Sequence, residues 1–398
     1  MNARRTVLIA VRAVTALASA AALVAAGFVW SLHQRVDTGA VTSDAAIPTP
    51  RPTPVGEEFT ALLVGLDART DAHGEPLPPA VLDALHAGPD EGQLHTDTII
   101  LLHVPAGPDA QAVAVSIPRD SFVEIAGGRG THKINSAYRR GMQDAEDALL
   151  AQGIEGAELD RRAREAGRRT LVATVQELTG VEVDHFAEIG MAGFVELTEA
   201  LGGVPVCLNA PVRDTYSGVD LPAGQQLVSG PGALAFVRQR HGLADGDLDR
   251  IARQQAFAAG LSRRVLEAGT LSDPLRLQRL LDIGTRYVVL DRGWDLEQAL
   301  TQLRRVTGDE FTFHTIPTGR PDLHTPVDGI AVEVDPDAVR AFVGELLEPA
   351  ATATSAPTTA RAAPTSTADQ GDSEPVTLLP PAPTTSPPIT AGGVPCVD

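Results

Sequence analysis

Phe59-Thr60-Ala61-Leu62-Leu63-Val64-Gly65-Leu66-Asp67-Ala68-Arg69 is the stretch that decides the fold. Its apolar part is too short for an ordinary helix and stops at a polar residue, Asp67. A run that apolar reads as a strand buried on both faces, which requires cover above and below the sheet. Thr98–Val104 and Val113–Ile117 repeat the pattern, and Gly, Pro or Asp bounds each run. Helical patterns alternate with these strands. Leu171, Val175 and Leu178 recur at helical spacing and stop at Gly180, a residue suited to a left-handed cap. Val181–Ile189 then reads as a strand and Met191–Leu201 as a helix ended by Gly202-Gly203. Leu248–Glu267 reads as a long helix with Leu248, Ile251, Ala258, Leu261 and Val265 on one stripe, and Phe311–Ile316 as a late strand. Strands interleaved with helices predict a layered α/β domain with helices on both faces of the sheet. In such folds ligands collect at the carboxyl ends of strands.

Working outward, this domain should occupy residues 58–348 of the 398. Residues 1–36 form a separate unit: Arg4, Arg5 and Arg12 precede an uncharged apolar run, Ala13–Trp30. That run can span a bilayer core, and its basic flank places Met1 in the cytoplasm and the remainder outside the cell membrane. Ala18-Ser19-Ala20 imitates a cleavage site but sits inside the run, so a single-pass anchor is expected rather than a removed signal peptide. Residues 37–57 carry Pro48, Pro50, Pro52 and Pro54 and read as an extended linker. Residues 349–398, mostly Ala, Thr, Ser and Pro, lack the apolar bulk to repay the entropy of folding and read as a disordered tail. Two cysteines occur, Cys207 and Cys396. Outside the cell an even count permits a disulfide, which is expected here and would tether the tail.

The net charge of −19 argues against a nucleic-acid binder, which needs a basic surface. It leaves room for a local basic pocket. Polar residues gather at the ends of the expected strands: Asp67 and Arg69; His95, Thr96 and Asp97; Ser116 to Ser121, with Arg119 and Asp120; then Lys133 and Asn135. If Phe236–His241 is extended, Arg238 and Arg240 point the same way. On a helix Arg250 and Gln254 share a face, with Arg253 beside them. Arginine offers a permanently charged planar fork that matches phosphate oxygens. Several converging on one pocket repel unless an anion such as pyrophosphate lies between them. Carboxylates beside that anion suggest a metal, and Asp97 and Asp120 are the pair expected to hold Mg²⁺. Against this, an isolated Arg–Asp neighbour pair is more often a structural salt bridge. Gly127-Gly128-Arg129-Gly130 is not a P-loop, Ser116 and Ser121 lie outside any nucleophile elbow, and no His/Cys spacing suggests zinc. The residues alone lead to an extracellular α/β domain with an anion pocket.

Taken in order, the segments Gly65–Arg69, Thr96–Thr98, Ser116–Asp120, Lys133–Asn135, Leu201–Val204, Val237–Arg240 and Asp247–Gln255 resemble the motif series of the LytR–CpsA–Psr family. The resemblance spans roughly residues 58–262. It implies a three-layer α/β/α sandwich with an apolar cavity for a polyprenyl chain. It implies an Mg²⁺-dependent phosphotransferase that moves a glycopolymer phosphate from a polyprenyl-pyrophosphate carrier to a muramic acid hydroxyl of peptidoglycan. By carry-over Asp97 and Asp120 would hold the metal, and Arg119, Arg238 and Arg240 would act on the pyrophosphate. Arg69, Lys133, Asn135, Arg250 and Gln254 would bind it. His95 stands where many members carry Arg, which removes one positive charge. The general base is left open, with Asp120, Asp247, Asp249 and a metal-bound hydroxyl as candidates. Two other readings use the same residues: a lipid pyrophosphatase in which water replaces the sugar hydroxyl, and a non-catalytic lipid-binding envelope regulator.

Overall fold

A computed structural model describes residues 41–46, 57–88, 94–107, 111–239, 242, 247–266, 273–292, 294, 311–347, 389–390 and 393–398. The strands, in chain order, are β1 (Val41–Ser43), β2 (Phe59–Leu66), β3 (Thr96–Val104), β4 (Val113–Ser116), β5 (Ser121–Glu124), β6 (Thr131–Lys133), β7 (His185–Gly190), β8 (Val204–Leu208), β9 (Val212–Asp214), β10 (Val219–Leu221), β11 (Gly224–Val228), β12 (Val288–Asp291), β13 (Thr312–Thr315), β14 (Leu323–Thr325), β15 (Gly329–Glu333), β16 (Ile389–Thr390) and β17 (Cys396–Val397). The helices are α1 (Pro79–Ala84), α2 (Ala137–Leu150), α3 (Gly156–Thr179), α4 (Met191–Ala200), α5 (Gly230–Arg238), α6 (Asp247–Leu266), α7 (Pro274–Tyr287) and α8 (Pro336–Leu347).

Eight strands form the central sheet in the order β1-β12-β7-β2-β3-β4-β13-β16. β2 runs parallel to β7 and antiparallel to β3, and β4 runs parallel to β13. Alternation along the central strands explains the layers. Leu62, Val64, Ile99 and Leu101 face a core completed by Tyr138, Leu171, Val175 and Val339 from α2, α3 and α8. Ala61, Leu102 and Ala114 face the opposite side, where Ala259 of α6 packs with Phe59 and Phe313. The double-sided burial read from Phe59–Leu66 is therefore the organising feature. A third cluster joins Met191, Phe236, Phe257 and Tyr287 from α4 to α7 with Val204 and Val206 of β8. α2 and α3 cross so closely that a Cβ on Gly141 would lie 2.1 Å from Thr170 Oγ1, which is why a glycine stands there.

Several expectations shift. Gly180 does cap α3 with φ 75°. The strand expected at Val181–Ile189 starts at His185 instead. Ahead of it, Gln176 Oε1 accepts the Val183 N–H at 2.9 Å, satisfying that donor outside a ladder. Phe236–Arg238 is helical rather than extended: Pro231 opens α5, and Ala233, Phe236 and Val237 bury its inner face, so Arg238 ends a helix. Part of the stretch read as linker belongs to the sheet, since Val41–Ser43 pairs with β12. The stretch read as tail also contributes two short strands, β16 on β13 and β17 on β8. The sulfurs of Cys207 and Cys396 lie at bonding distance across that last pair. The expected membrane run at 13–30 lies outside the described residues; among those described, no helix is long and apolar enough to cross a membrane.

Candidate active site

A cavity of about 250 Å³ opens at the carboxyl ends of β2 and β7, where the loop after β4 also arrives. Its polar lining is Asp67, Asp97, Thr98, Arg119, Arg238, Arg250 and Gln254. Ile189, Met191, Phe194, Leu234 and Val237 form an apolar side. One pocket thus offers a charged mouth beside a greasy wall.

Register puts Asp97 there. β2 pairs with β3 without interruption from Phe59↔Val104 to Gly65↔Thr98, but Leu66 then pairs with Thr96. Asp97 is the extra residue of a β-bulge, and bulges re-aim side chains beside binding sites. A Cβ on Gly65 would stand 3.0 Å from the Thr98 Cβ, so glycine permits the tight pairing at this point. Asp67 follows at the end of β2, fixed by its own N–H, which donates to the His95 carbonyl at 2.9 Å.

The ion pairs are uneven. Arg119 bonds Asp97 at 2.5 Å. Arg238 reaches Asp67 only at 3.8 Å, and one of its nitrogens donates to the Leu85 carbonyl at 3.2 Å. Arg250, 2% exposed, comes from the first turns of α6 and is almost wholly withdrawn from water. Gln254, one turn further on, points its amide toward the carbonyls of Asp97 and Val237 at 3.5 and 3.4 Å.

Of the residues expected from the sequence, Asp97, Arg119, Arg238, Arg250 and Gln254 come together at this cavity. Asp120 does not line it: Lys133 Nζ holds its carboxylate at 3.3 Å behind Arg119. Lys133 is thereby occupied, and Asn135 supports the loop from below, its N–H donating to the Arg119 carbonyl at 3.1 Å. Arg69 does not line the cavity either: it donates to the carbonyls of Asp67 at 2.9 Å and Ala87 at 2.7 Å, and pairs with the Asp67 carboxylate at 3.2 Å. These residues build the mouth without facing it. Arg240 lies outside the described residues, as do the side chain of Asp247 and its surroundings. Asp67, a polar strand end with no role assigned from the sequence, faces the cavity, and the apolar cavity that the resemblance implies takes Ile189, Met191, Phe194, Leu234 and Val237 as its wall. Asp67 had a signal: it is the first polar residue after the strand that decides the fold, at the end where ligands collect.

The carboxylates facing the cavity are therefore Asp67 and Asp97, not Asp97 and Asp120. They suit a hard cation. Oδ1 of Asp67 is buried and has no hydrogen-bond partner among the described residues. Among those residues no group of three or more His, Cys, Asp or Glu could by itself hold a metal. Mg²⁺ fits this pattern, since it takes one or two protein carboxylates and completes its shell with phosphate and water.

Residues 32–338 match the sequence profile of the LytR_cpsA_psr family, and the chain belongs to that family. It is 44% identical over 293 residues to the cell wall biosynthesis protein LcpA of Corynebacterium glutamicum, covering 72% of this chain and 55% of that protein. It is 34% identical over 206 residues to the polyisoprenyl-teichoic acid–peptidoglycan teichoic acid transferase TagU of Oceanobacillus iheyensis, covering 52% and 56%. The chain spans about half the length of the curated relatives it matches. The fold is similar to that of a LytR-Csp2A-Psr enzyme from Actinomyces oris, with a TM-score of 0.52, 21% identity, and coverage of 77% of this chain and 95% of that one.

Proposed function

We propose that this family member transfers a glycopolymer phosphate from a polyprenyl-pyrophosphate carrier to a muramic acid hydroxyl of peptidoglycan. The observation that carries the reading is the single cavity that joins Arg119, Arg238 and Arg250 to an apolar wall. A lipid pyrophosphate needs both halves: cations for the diphosphate and apolar surface for the first prenyl units. The relative named as a teichoic acid transferase to peptidoglycan supports the same class of reaction.

In this reading the acceptor hydroxyl oxygen bonds the sugar-side phosphorus, and its proton ends on the departing polyprenyl phosphate. The bond from that phosphorus to the bridging oxygen breaks, and polyprenyl phosphate leaves. Arg238 and Arg250 grip the diphosphate oxygens and neutralise charge that gathers on the leaving phosphate, the largest contribution expected of such a site. Arg119 releases part of its hold on Asp97 to do the same. Asp67 and Asp97 would hold Mg²⁺, which would supply further charge neutralisation. Phe194, Leu234 and Val237 receive the lipid and keep water from the reacting end.

The test incubates the protein with a synthetic polyprenyl-pyrophosphate disaccharide, Mg²⁺ and peptidoglycan oligomers, and reads products by mass spectrometry. Glycosyl phosphate on the oligomer is expected, and chelation of Mg²⁺ should suppress it. Free glycosyl phosphate alone would replace transfer with hydrolysis; no product at all would leave a lipid-binding role. The proposal includes an anchor at residues 13–30, motivated by their uncharged apolar run. N-terminal sequencing of the membrane fraction should find that run retained, and a mature start beyond Ser31 would refute it.

A further inference from the structure

We propose that Arg253 is a positioning residue for the cavity, and that the segment Gly393–Asp398 holds Arg253 in place. The inference rests on the transfer reading above but concerns residues outside the cavity.

α6 delivers Arg250 and Gln254 to the site, and Arg253 points elsewhere from the turn between them. It is 2% exposed and ranks among the largest fully buried side chains. Its guanidinium donates to Oε1 of Gln239 and to the main-chain oxygen of Asp398. It also stands 5.5 Å over the Phe236 ring. Gln239 directly follows Arg238 at the end of α5. One side chain therefore ties the turn carrying Arg238 to the helix carrying Arg250. Its third partner is a segment that begins 55 residues beyond the family match, which ends at 338 (393 − 338).

That segment is well held. Val397 is buried in the cluster around β8, and its carbonyl accepts the Asn209 N–H at 2.9 Å. Asn209 Nδ2 donates to the Asp398 carboxylate at 2.9 Å. Cys396 faces Cys207 at bonding distance, and closure at this pair, 189 positions apart in sequence, would retain the segment. The opposite side of α6 has separate support. Gln255 donates to Thr315 Oγ1 at 2.8 Å and to the His314 carbonyl at 3.0 Å. The helix is thus fixed to the sheet without Arg253, and what Arg253 adds is the bond to the end of α5.

Energetics point the same way. Burial pulls the Arg253 pKa down, with Asp249 and Asp398 opposing. A buried charge of this kind is weak evidence for stability, because an apolar side chain of similar size often serves the fold as well. The bond to Gln239 gives the guanidinium a geometric role, holding the end of α5 that carries Arg238 against the helix that carries Arg250.

The experiment uses the full chain, with wild type, Arg253→Met, Arg253→Lys and Cys396→Ser compared. Three quantities are measured: the thermal midpoint, kcat and KM on the synthetic polyprenyl-pyrophosphate disaccharide, and inorganic pyrophosphate affinity by calorimetry. Arg253→Met should keep its midpoint and a KM within about threefold, while kcat falls roughly 10- to 100-fold, as expected for misplaced catalytic groups. Pyrophosphate affinity should weaken several-fold. Arg253→Lys should recover part of kcat, and Cys396→Ser should lower it in the same direction as Arg253→Met. Unchanged kcat and pyrophosphate affinity in Arg253→Met would overturn the proposal. So would a kcat loss accounted for by a smaller folded fraction. If wild type turns over nothing, the transfer reading fails by itself, and the pyrophosphate affinities of folded variants still decide the positioning role.

Discussion

Leu66 and Gly190 border two arginine clusters that behave in opposite ways. On one side Arg168 meets Glu188 through two bonds, 2.9 and 3.1 Å, with both side chains 6% exposed. Arg164 sits beside it on Asp160 at 2.8 Å. Burial alone would pull the Arg168 pKa down, but Glu188, Tyr138 and Glu165 more than reverse this and raise it above the usual range. Burial likewise pushes the Tyr138 phenol up. On the other side Arg119, Arg238 and Arg250 line the cavity against two carboxylates, Asp67 and Asp97. The first cluster is matched charge for charge and ties α3 to β7. The second gathers three arginines around an open cavity, where an anion from outside can enter between them. The same residue type serves the scaffold where it is locked to a buried carboxylate and is offered to a ligand where it faces a cavity.

The largest effect should come from the matched pair. Glu188→Ala leaves the buried Arg168 with only the more distant Glu165 carboxylate, at 3.8 Å, a loss that costs up to about 3–5 kcal/mol. The thermal midpoint should drop by roughly 2–4 °C for each kcal/mol. A midpoint equal to wild type would break the comparison, since Arg168 would then be no more dependent on its partner than a cavity arginine. Arg250→Ala should show the reverse. Turnover should fall about 10²- to 10³-fold, as when one preorganised charge-stabilising donor is lost. The thermal midpoint should change less than in Glu188→Ala. Loss of midpoint with retained turnover would move Arg250 into the structural class.

A smaller effect separates scaffold from cavity by pH. Burial lowers the pKa of His103 below its usual 6.5, against the opposing charges of Glu58 and Asp184, and burial lowers His314 in the same way. Below 6.5 the unfolded chain binds protons that these folded histidines refuse. Stability from them is complete above that pH and is lost as pH falls toward the lowered values. The midpoint should therefore decline on acidification below 6.5, and His103→Gln should flatten part of the decline. A midpoint that holds steady on the same acidification would contradict this.

The comparison also explains what was legible in the sequence. Phe59–Leu66 announces a double-faced strand because its own side chains determine its burial. The place of Asp97 depends on a register slip against another strand, which no local pattern records. Arg168 reads as one more charge in a basic helical stretch, and its partner lies on a strand 20 residues later. Arg238 and Arg240 share a direction only if their segment is extended, and Pro231 with the buried Ala233, Phe236 and Val237 decides for helix up to Arg238. Cys396 signalled that the last residues return to the domain, because a cysteine in a Pro-rich stretch has no packing role of its own. Ile389, which adds a strand to the sheet edge, gave no such sign.

The claim beneath all of this is that the cavity is built for a diphosphate. Calorimetric titration of the full chain with inorganic pyrophosphate and Mg²⁺ tests it most directly. The account predicts saturable one-to-one binding that weakens with salt, survives Arg213→Ala at the exposed Arg213–Asp220 pair, and is lost in Arg250→Ala. Absent binding, or binding that Arg250→Ala leaves intact, would contradict it.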